Sequence, residues 1–301
     1  MTATSSEPFT AERAEPLLTA AAAKAGLPLP APRLLRLGEN AVFTTGAQLV
    51  ARVGRSPAAA PTAAREVAIG SWLAHATEVP VARPVDIPQP ILVEGHPVTF
   101  WEEIPDPSEA TFPELAGTLR VFHAVDAEEV PADIVLPELD PFNRISSRIE
   151  SAPIPERQRS VLRSVYDELV EAWDTVTFTL PPGPIHGDAH TSNLLRGKNG
   201  RLALIDLEDS CFGPREWDLA MAGTYAKSLG WIDAATYRDF VEIYGTDVTE
   251  SPSFPTLRRI RELRMTSWMS QLAADERFTA QVEHRVACLL DDDLPRHWAA
   301  H

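Results

Sequence analysis

The sequence predicts an α+β chain of two lobes: a small lobe built on an antiparallel sheet, then a larger and mainly helical one. Three observations predict it. Short β-type runs crowd residues 34–101, prolines 105 and 107 interrupt regular structure, and from residue 113 onward apolar side chains recur at helical spacing. The boundaries that follow are residues 1–100 for the first lobe with its N-terminal helix, 101–107 for the connection and 108–301 for the second lobe.

Residues 11–25 (AERAEPLLTAAAAKA) have helical composition and stop at Gly26, with Pro28 just beyond. Leu34 to Val53 then read as strands: LLRL, AVFTT, a turn at Gly46 and Ala47, and QLVARV. GRSPAAAPTA reads as a loop, AREVAIGSWLAHA as a helix, and ARPVDI, ILVEG and HPVTFW as further short strands. In EEIPDP the prolines break the pattern, as expected where a chain passes between lobes. Beyond it, PELAGTLRVFHA puts Leu115, Leu119 and Phe122 on one helical face, and ERQRSVLRSVYDELVEAWD does the same with Leu162, Val165 and Leu169. WDLAMAGTYAKSL and AATYRDFVEIY are helical as well, followed by a final pair near residues 255–272 and 279–290.

Composition excludes several classes. The chain of 301 residues is 44% hydrophobic and 23% charged, the balance of a globular protein and not of a disordered one. No run approaches the ~18 consecutive apolar residues of a membrane span. The first residues carry Glu7, Glu12 and Glu15 where a secretory signal would be basic and then apolar. Cys211 and Cys288 have no CxxC spacing, so they read as packing residues in a reducing, cytoplasmic compartment. With 27 basic against 43 acidic residues the net charge is −16, which opposes nucleic-acid and anionic-membrane partners. Residues 1–100 hold eight of each sign, so the acidic surplus lies wholly in residues 101–301, which hold 19 basic and 35 acidic residues. Such a charge serves solubility or draws a cationic ligand. The oligomeric state is not legible.

The chemistry concentrates where the helices give way. In HGDAHTSNLL, Asp188 and Asn193 stand five residues apart on an irregular loop, and Asp206 ends the apolar run LALI thirteen residues later. Phosphoryl transfer needs such a layout: a carboxylate at the acceptor hydroxyl, plus an amide oxygen and a second carboxylate to hold magnesium against nucleotide phosphates. His186 and His190 have the i, i+4 spacing of a helical metal site, but PPGP and Gly187 oppose a helix there and no second histidine cluster adds ligands. Walker A, dinucleotide and G-x-S-x-G motifs are absent.

HGDAHTSN, IDLE and WDLA, in that order, resemble the aminoglycoside phosphotransferase family, the small-molecule branch of the protein-kinase-like fold, over about Leu34 to Ala220. The resemblance implies a bilobal enzyme in which Asp188 is the catalytic base, Asn193 and Asp206 bind magnesium, and His186, His190 and Asp218 brace the loop; an N-cap role for Asp218 is the alternative. Gly187 stands where protein kinases carry an arginine, and only eleven residues separate Asp206 from Asp218, too few for a peptide-docking activation segment. The acceptor expected is therefore a small molecule.

The first lobe is then expected to hold the nucleotide. In LVARV, Arg52 points away from Leu49, Ala51 and Val53 and resembles the strand residue that reaches the α and β phosphates, a place where many relatives use lysine. Its expected partner is Glu66, a carboxylate on the same helical face as Ile69, Gly70 and Leu73. The turn at Gly38, Glu39 and Asn40 is expected to cover the phosphates, and the backbone near Glu102 and Ile104 to meet the base. Trp231, Trp268 and Trp298 read as packing residues.

The function expected is an ATP- and magnesium-dependent O-phosphotransferase, with GTP left open as donor. Glu208, Asp209 and Glu216, beside the metal loop, are expected to hold amines of a cationic, aminoglycoside-like acceptor, which would make the role one of antibiotic resistance. A metabolic kinase of a sugar or amino alcohol uses the same catalytic residues. A non-catalytic nucleotide-binding protein is the third reading, because arginine replaces lysine at position 52.

Overall fold

Alternating side chains in residues 33–54 become three antiparallel strands in the computed structural model, which describes residues 9–299. These are β1 (Arg33–Leu37), β2 (Asn40–Thr44) and β3 (Leu49–Gly54). With β4 (Ile91–Val93) and β5 (His96–Glu102) they form a sheet in the order β1-β2-β3-β5-β4. The β1–β2 ladder shifts register between Leu34 and Arg36. Arg52 faces Val42 on one side and Thr99 on the other.

The two faces of the sheet do different work. Ala41, Phe43, Ala51, Val53, Val98 and Phe100 point to one face, where α1 (Ala11–Ala25) covers them with Ala14, Leu17, Leu18, Ala21 and Ala22. Gly26 ends α1 in the left-handed region, φ 66°, as a glycine cap does. The opposite face carries Arg52 and Thr99, and α2 (Ala60–Ala76) packs there. At Gly70 the helix approaches so closely that a Cβ would lie 3.1 Å from the Trp101 ring.

Short strands follow at Ser108–Glu109 (β6), Gly183–Ile185 (β7), Leu194–Arg196 (β8), Leu202–Leu204 (β9) and Cys211–Gly213 (β10). The chain folds as two units. The first comprises residues up to Ala110, Glu128–Val135 and Thr191–Ser210, and so includes the small sheet β6-β8-β9. The second comprises Thr111–Ala127, Leu136–His190 and the chain from Cys211 onward, with the ribbon β10-β7. Residues 191–210 thus group with the sheet unit although the sequence reading places them in the second lobe.

Helices build the second unit: α3 (Phe112–Phe122), α4 (Ile145–Ser151), α5 (Glu156–Trp173), α6 (Glu216–Thr224), α7 (Ala234–Tyr244), α8 (Phe254–Ser270) and α9 (Glu276–Leu290). Thr111 and Glu114 form a reciprocal capping box that starts α3, and Asp233 and Asp275 cap α7 and α9. The core gathers around α8, whose Leu257, Ile260 and Leu263 meet Ile145, Leu162, Val165, Leu169, Trp217, Val282 and Leu289. Gly223 on α6 lies so close to Phe254 that a Cβ would stand 2.7 Å from its ring.

Several expectations differ from the structure, and the first is GRSPAAAPTA, read as a loop, in which Pro57–Ala59 is a 3-10 turn and Ala60 already begins α2. ARPVDI forms isolated bridges at Val81 and Pro84 instead of a strand, because Pro84 has no N–H to continue a ladder. The last turn of the helix read in WDLAMAGTYAKSL is a π-turn over Tyr225–Leu229. The short helix α4 was not expected at all. Trp298 and both cysteines are buried, as packing residues are, whereas Trp268 is 44% exposed. Among the described residues no helix is long and apolar enough to cross a membrane.

Candidate active site

In the first unit the sheet delivers a cation to a group of carboxylates. Arg52 alternates with buried Ala51 and Val53, so its guanidinium leaves the face on which α2 lies. Its Nη1 donates to Glu66 Oε1, the partner expected from the sequence. Its Nη2 lies 3.1 Å from Asp206 Oδ1 and 3.8 Å from Glu208 Oε2. Burial disfavours the guanidinium charge, yet Glu66, Asp206 and Glu208 together raise its pKa. Three carboxylates face one guanidinium, and burial with the nearby Asp206 pushes Glu208 up to about 7 despite Arg52.

Asp206 holds a left-handed backbone, φ 63° and ψ 51°. Aspartate is one of the few non-glycine residues that adopt this conformation at small cost. Asn193 is adjacent through the backbone, since Ile205 N–H donates to the Asn193 carbonyl at 2.9 Å. Asn40 lines a pocket with Arg52, Glu66, Thr99 and Glu208. A second pocket of this unit is lined by Val81, Ala82, Glu102, Ile104, Arg201 and Ala203. Glu102 and Ile104 therefore share one pocket, and Arg52, Glu66, Asn40 and Glu208 share another.

The second unit holds the loop of Asp188. Gly187 turns it at φ 86°, a conformation that suits glycine. Asp218, fully buried in the first turn of α6, accepts the His186 N–H at 2.7 Å and the Gly187 N–H at 2.9 Å. It is a brace for the loop and not an N-cap. His123 Nε2 donates to the same carboxylate at 3.1 Å, and its Nδ1 meets the Tyr244 hydroxyl at 2.9 Å. Burial opposes the Asp218 charge, but His123, His186 and the bond from the His186 N–H hold its pKa below the usual carboxylate range.

Asp188 is half-buried between His190 and Arg261. His190 Nε2 lies 3.6 Å from its Oδ2 and Arg261 Nη1 lies 3.9 Å from its Oδ1. Burial pushes the carboxyl up, and His190, Arg261 and His186 more than reverse that, so its pKa lies well below the ordinary value. His186 is fully buried, with its Nδ1 accepting from the Asp188 N–H at 3.3 Å.

One expected acceptor contact is corrected. Glu216 is fully buried and one of its oxygens accepts from the Thr179 N–H, the Thr179 hydroxyl and the Leu180 N–H, so it ties the chain before β7 to α6 and has no face for an acceptor. Glu208 is turned toward Arg52, while its carbonyl accepts from Arg65 at 2.8 Å. Asp209 is partly exposed beside it.

Sequence reading missed His123, Trp217 and Arg261. Trp217 Nε1 donates to the Gly187 carbonyl at 2.7 Å, and the Arg261 guanidinium stacks on the Trp217 ring at 3.9 Å. The available signal was Arg261 itself: on the helix it shares a face with Leu257, the same cation-among-apolar pattern, with opposite charge, that singled out Glu66.

Residues 38–263 match the phosphotransferase enzyme family. No curated protein sequence matches the chain. Solved structures resemble it in fold. One is a choline/ethanolamine kinase family protein from Mesorhizobium loti, 18% identical, covering 91% of this chain and 94% of that one with a TM-score of 0.59. An amicoumacin kinase in complex with AMP-PNP and Ca2+ is 14% identical, with coverages of 89% and 90% and a TM-score of 0.65. An aminoglycoside 2'-phosphotransferase in complex with GDP is 16% identical, with coverages of 92% and 97% and a TM-score of 0.64. The fold is the bilobal, protein-kinase-like one, with a small antiparallel sheet and a helical lobe.

Proposed function

The chain belongs to the phosphotransferase enzyme family, and from that premise we propose that it transfers the γ-phosphoryl group of ATP to a hydroxyl of a small cationic molecule. The observation that carries the reading is the convergence of Arg52, Glu66 and Asp206, from a strand, a helix and a loop up to 154 positions apart. A solvated charge pair would not need three separate elements.

The residues present fit magnesium. Asn193 and Asp206 offer the hard oxygen donors that this ion takes, and the carboxylate surplus around Arg52 leaves negative charge for a cation to balance. When bound, magnesium would neutralise charge on the nucleotide phosphates. Arg52 would bind the α and β phosphates, held upright by Glu66, with Asn40 at the pocket rim. The pocket of Val81, Ala82, Ile104 and Ala203 would take the base, and residues 101–107 would connect the two lobes.

Asp188, ionised and held between His190 and Arg261, would take the acceptor proton. The acceptor oxygen then bonds to the γ-phosphorus as the bridging β–γ oxygen bond breaks, ADP leaves, and Asp188 passes its proton to solvent. The acidic surplus of residues 101–301 supports a cationic acceptor. Both an aminoglycoside and an amino alcohol meet that description.

An ADP-release assay with ATP and magnesium, run over aminoglycosides, other hydroxylated antibiotics, sugars and amino alcohols, tests this, with an enzyme-free blank and with Asp188→Asn expected to keep only a small residual turnover. Turnover on amine-bearing alcohols, with KM rising with ionic strength, is the expected result. Turnover on neutral sugars alone would refute the cationic acceptor, and nucleotide binding without turnover would make the chain non-catalytic.

A further inference from the structure

Arg261 is a charged side chain placed where a hydrophobic one would serve the fold. It lies on α8 beside Ile260 and Leu257, is 1% exposed, and packs flat on Trp217. One bond satisfies it: Nη2 donates to the Trp217 carbonyl at 2.8 Å. Its Nε and Nη1 have no hydrogen-bond acceptor among the described residues. Burial and the neighbouring Arg264 lower its pKa to about 10, so it stays charged at neutral pH. A buried cation with two unanswered donors is a poor structural element, and a hydrophobic residue of similar volume is often neutral or better for stability.

Its unanswered Nη1 points to the Asp188 carboxylate, 3.9 Å away. Trp217 ties the same group to the loop from behind, through the Gly187 carbonyl. We propose that Arg261 is a positioning residue for the reaction: with the Trp217 ring as its platform, it fixes the rotamer of Asp188 and keeps one carboxylate oxygen oriented toward the acceptor hydroxyl. The proposal rests on the reading of Asp188 as the base.

The test measures kcat, both KM values and melting temperature for Arg261→Met and Arg261→Lys, each alone and combined with Asp188→Asn. Arg261→Met should melt within a few degrees of wild type, because the Asp188 carboxylate it leaves is partly exposed and two nitrogens of Arg261 are unpaired already. Its kcat should fall by about 10-fold to 100-fold with KM changed less than about twofold, the scale of a misplaced reacting group. Arg261→Lys, which keeps the charge and loses the flat stack, should lie between it and wild type. In the Asp188→Asn background the Met change should cost less than about twofold, because the residue through which Arg261 acts is gone.

An unchanged kcat in Arg261→Met, or a loss of equal size in the Asp188→Asn background, would overturn the proposal. A lowered melting temperature together with raised KM values would make Arg261 structural. If the Met variant does not fold, the Lys variant carries the same cycle, and an additive loss there overturns the proposal equally. Wild-type turnover in Asp188→Asn alone would remove the base reading instead, and that result stands apart because it needs no change at Arg261.

Discussion

Replacing Asp218 by asparagine should loosen the loop that carries Asp188. The carboxylate accepts three donors: the His186 N–H at 2.7 Å, the Gly187 N–H at 2.9 Å and His123 Nε2 at 3.1 Å. An asparagine is nearly the same shape, but its NH2 must face one of those donors and its oxygen carries no full charge. One unsatisfied buried donor costs about 1–3 kcal/mol, and weaker bonds to the others bring the loss to about 3 kcal/mol. In a unit of this size 1 kcal/mol moves the melting temperature by about 2–4 °C, so the drop should be roughly 6–12 °C. Because the Asp218 pKa is depressed in the folded state, its stabilisation is present above the unfolded value of about 3.9 and is lost as pH falls through the folded value. The gap between wild type and variant should therefore be full at pH 7 and close at acid pH. Thermal melts across pH, paired with ADP release, measure both effects. A variant that melts within about 2 °C of wild type at pH 7, with full turnover, would refute the bracing role.

Other predictions follow from the same geometry. Arg52→Met leaves Glu66 buried without its cation and should destabilise the first unit by about 3–5 kcal/mol in a denaturant titration, whereas adding Glu66→Gln should recover part of that loss. Asp206→Asn retains a residue that tolerates the left-handed backbone, so the fold should hold while calorimetry shows nucleotide binding losing its magnesium dependence. Gly223→Ala forces a methyl group to within 2.7 Å of the Phe254 ring and should lower the urea midpoint by the equivalent of about 1–3 kcal/mol.

The sheet was legible because alternation is local: the residues that place Arg52 opposite Ala51 and Val53 are its own neighbours. Glu66 was legible for the same reason, as a carboxylate on an apolar helical face. Spacing singled out the loop residues Asp188, Asn193 and Asp206, and the family resemblance gave the roles proposed for them. Roles that depend on distant partners did not. Glu216 reads as one more acid near the metal loop, and only the fold shows that Thr179 and Leu180 enclose it. His123 is a helix-end histidine until Asp218, 95 residues away, comes to meet it. Arg261 hides in RRIRELR among arginines that are only partly buried, and one residue along a helix turns a side chain by about 100°. The π-turn at Tyr225–Leu229 leaves no mark in an apolar pattern that fits an α-helix equally well.

The register shift between Leu34 and Arg36 bears on how the protein behaves in a crowded solution. A sheet edge is a template for the next strand, and β1 is such an edge, with Leu35 and Leu37 nearly half exposed. The irregularity twists that strand out of the flat form that another chain could join, and Arg33 and Arg36 add charge along it. At the far edge, β4 is only three residues long and Lys24 caps its Leu92 carbonyl at 2.9 Å. The five-stranded sheet thus ends on both sides in strands that resist recruitment into aggregates.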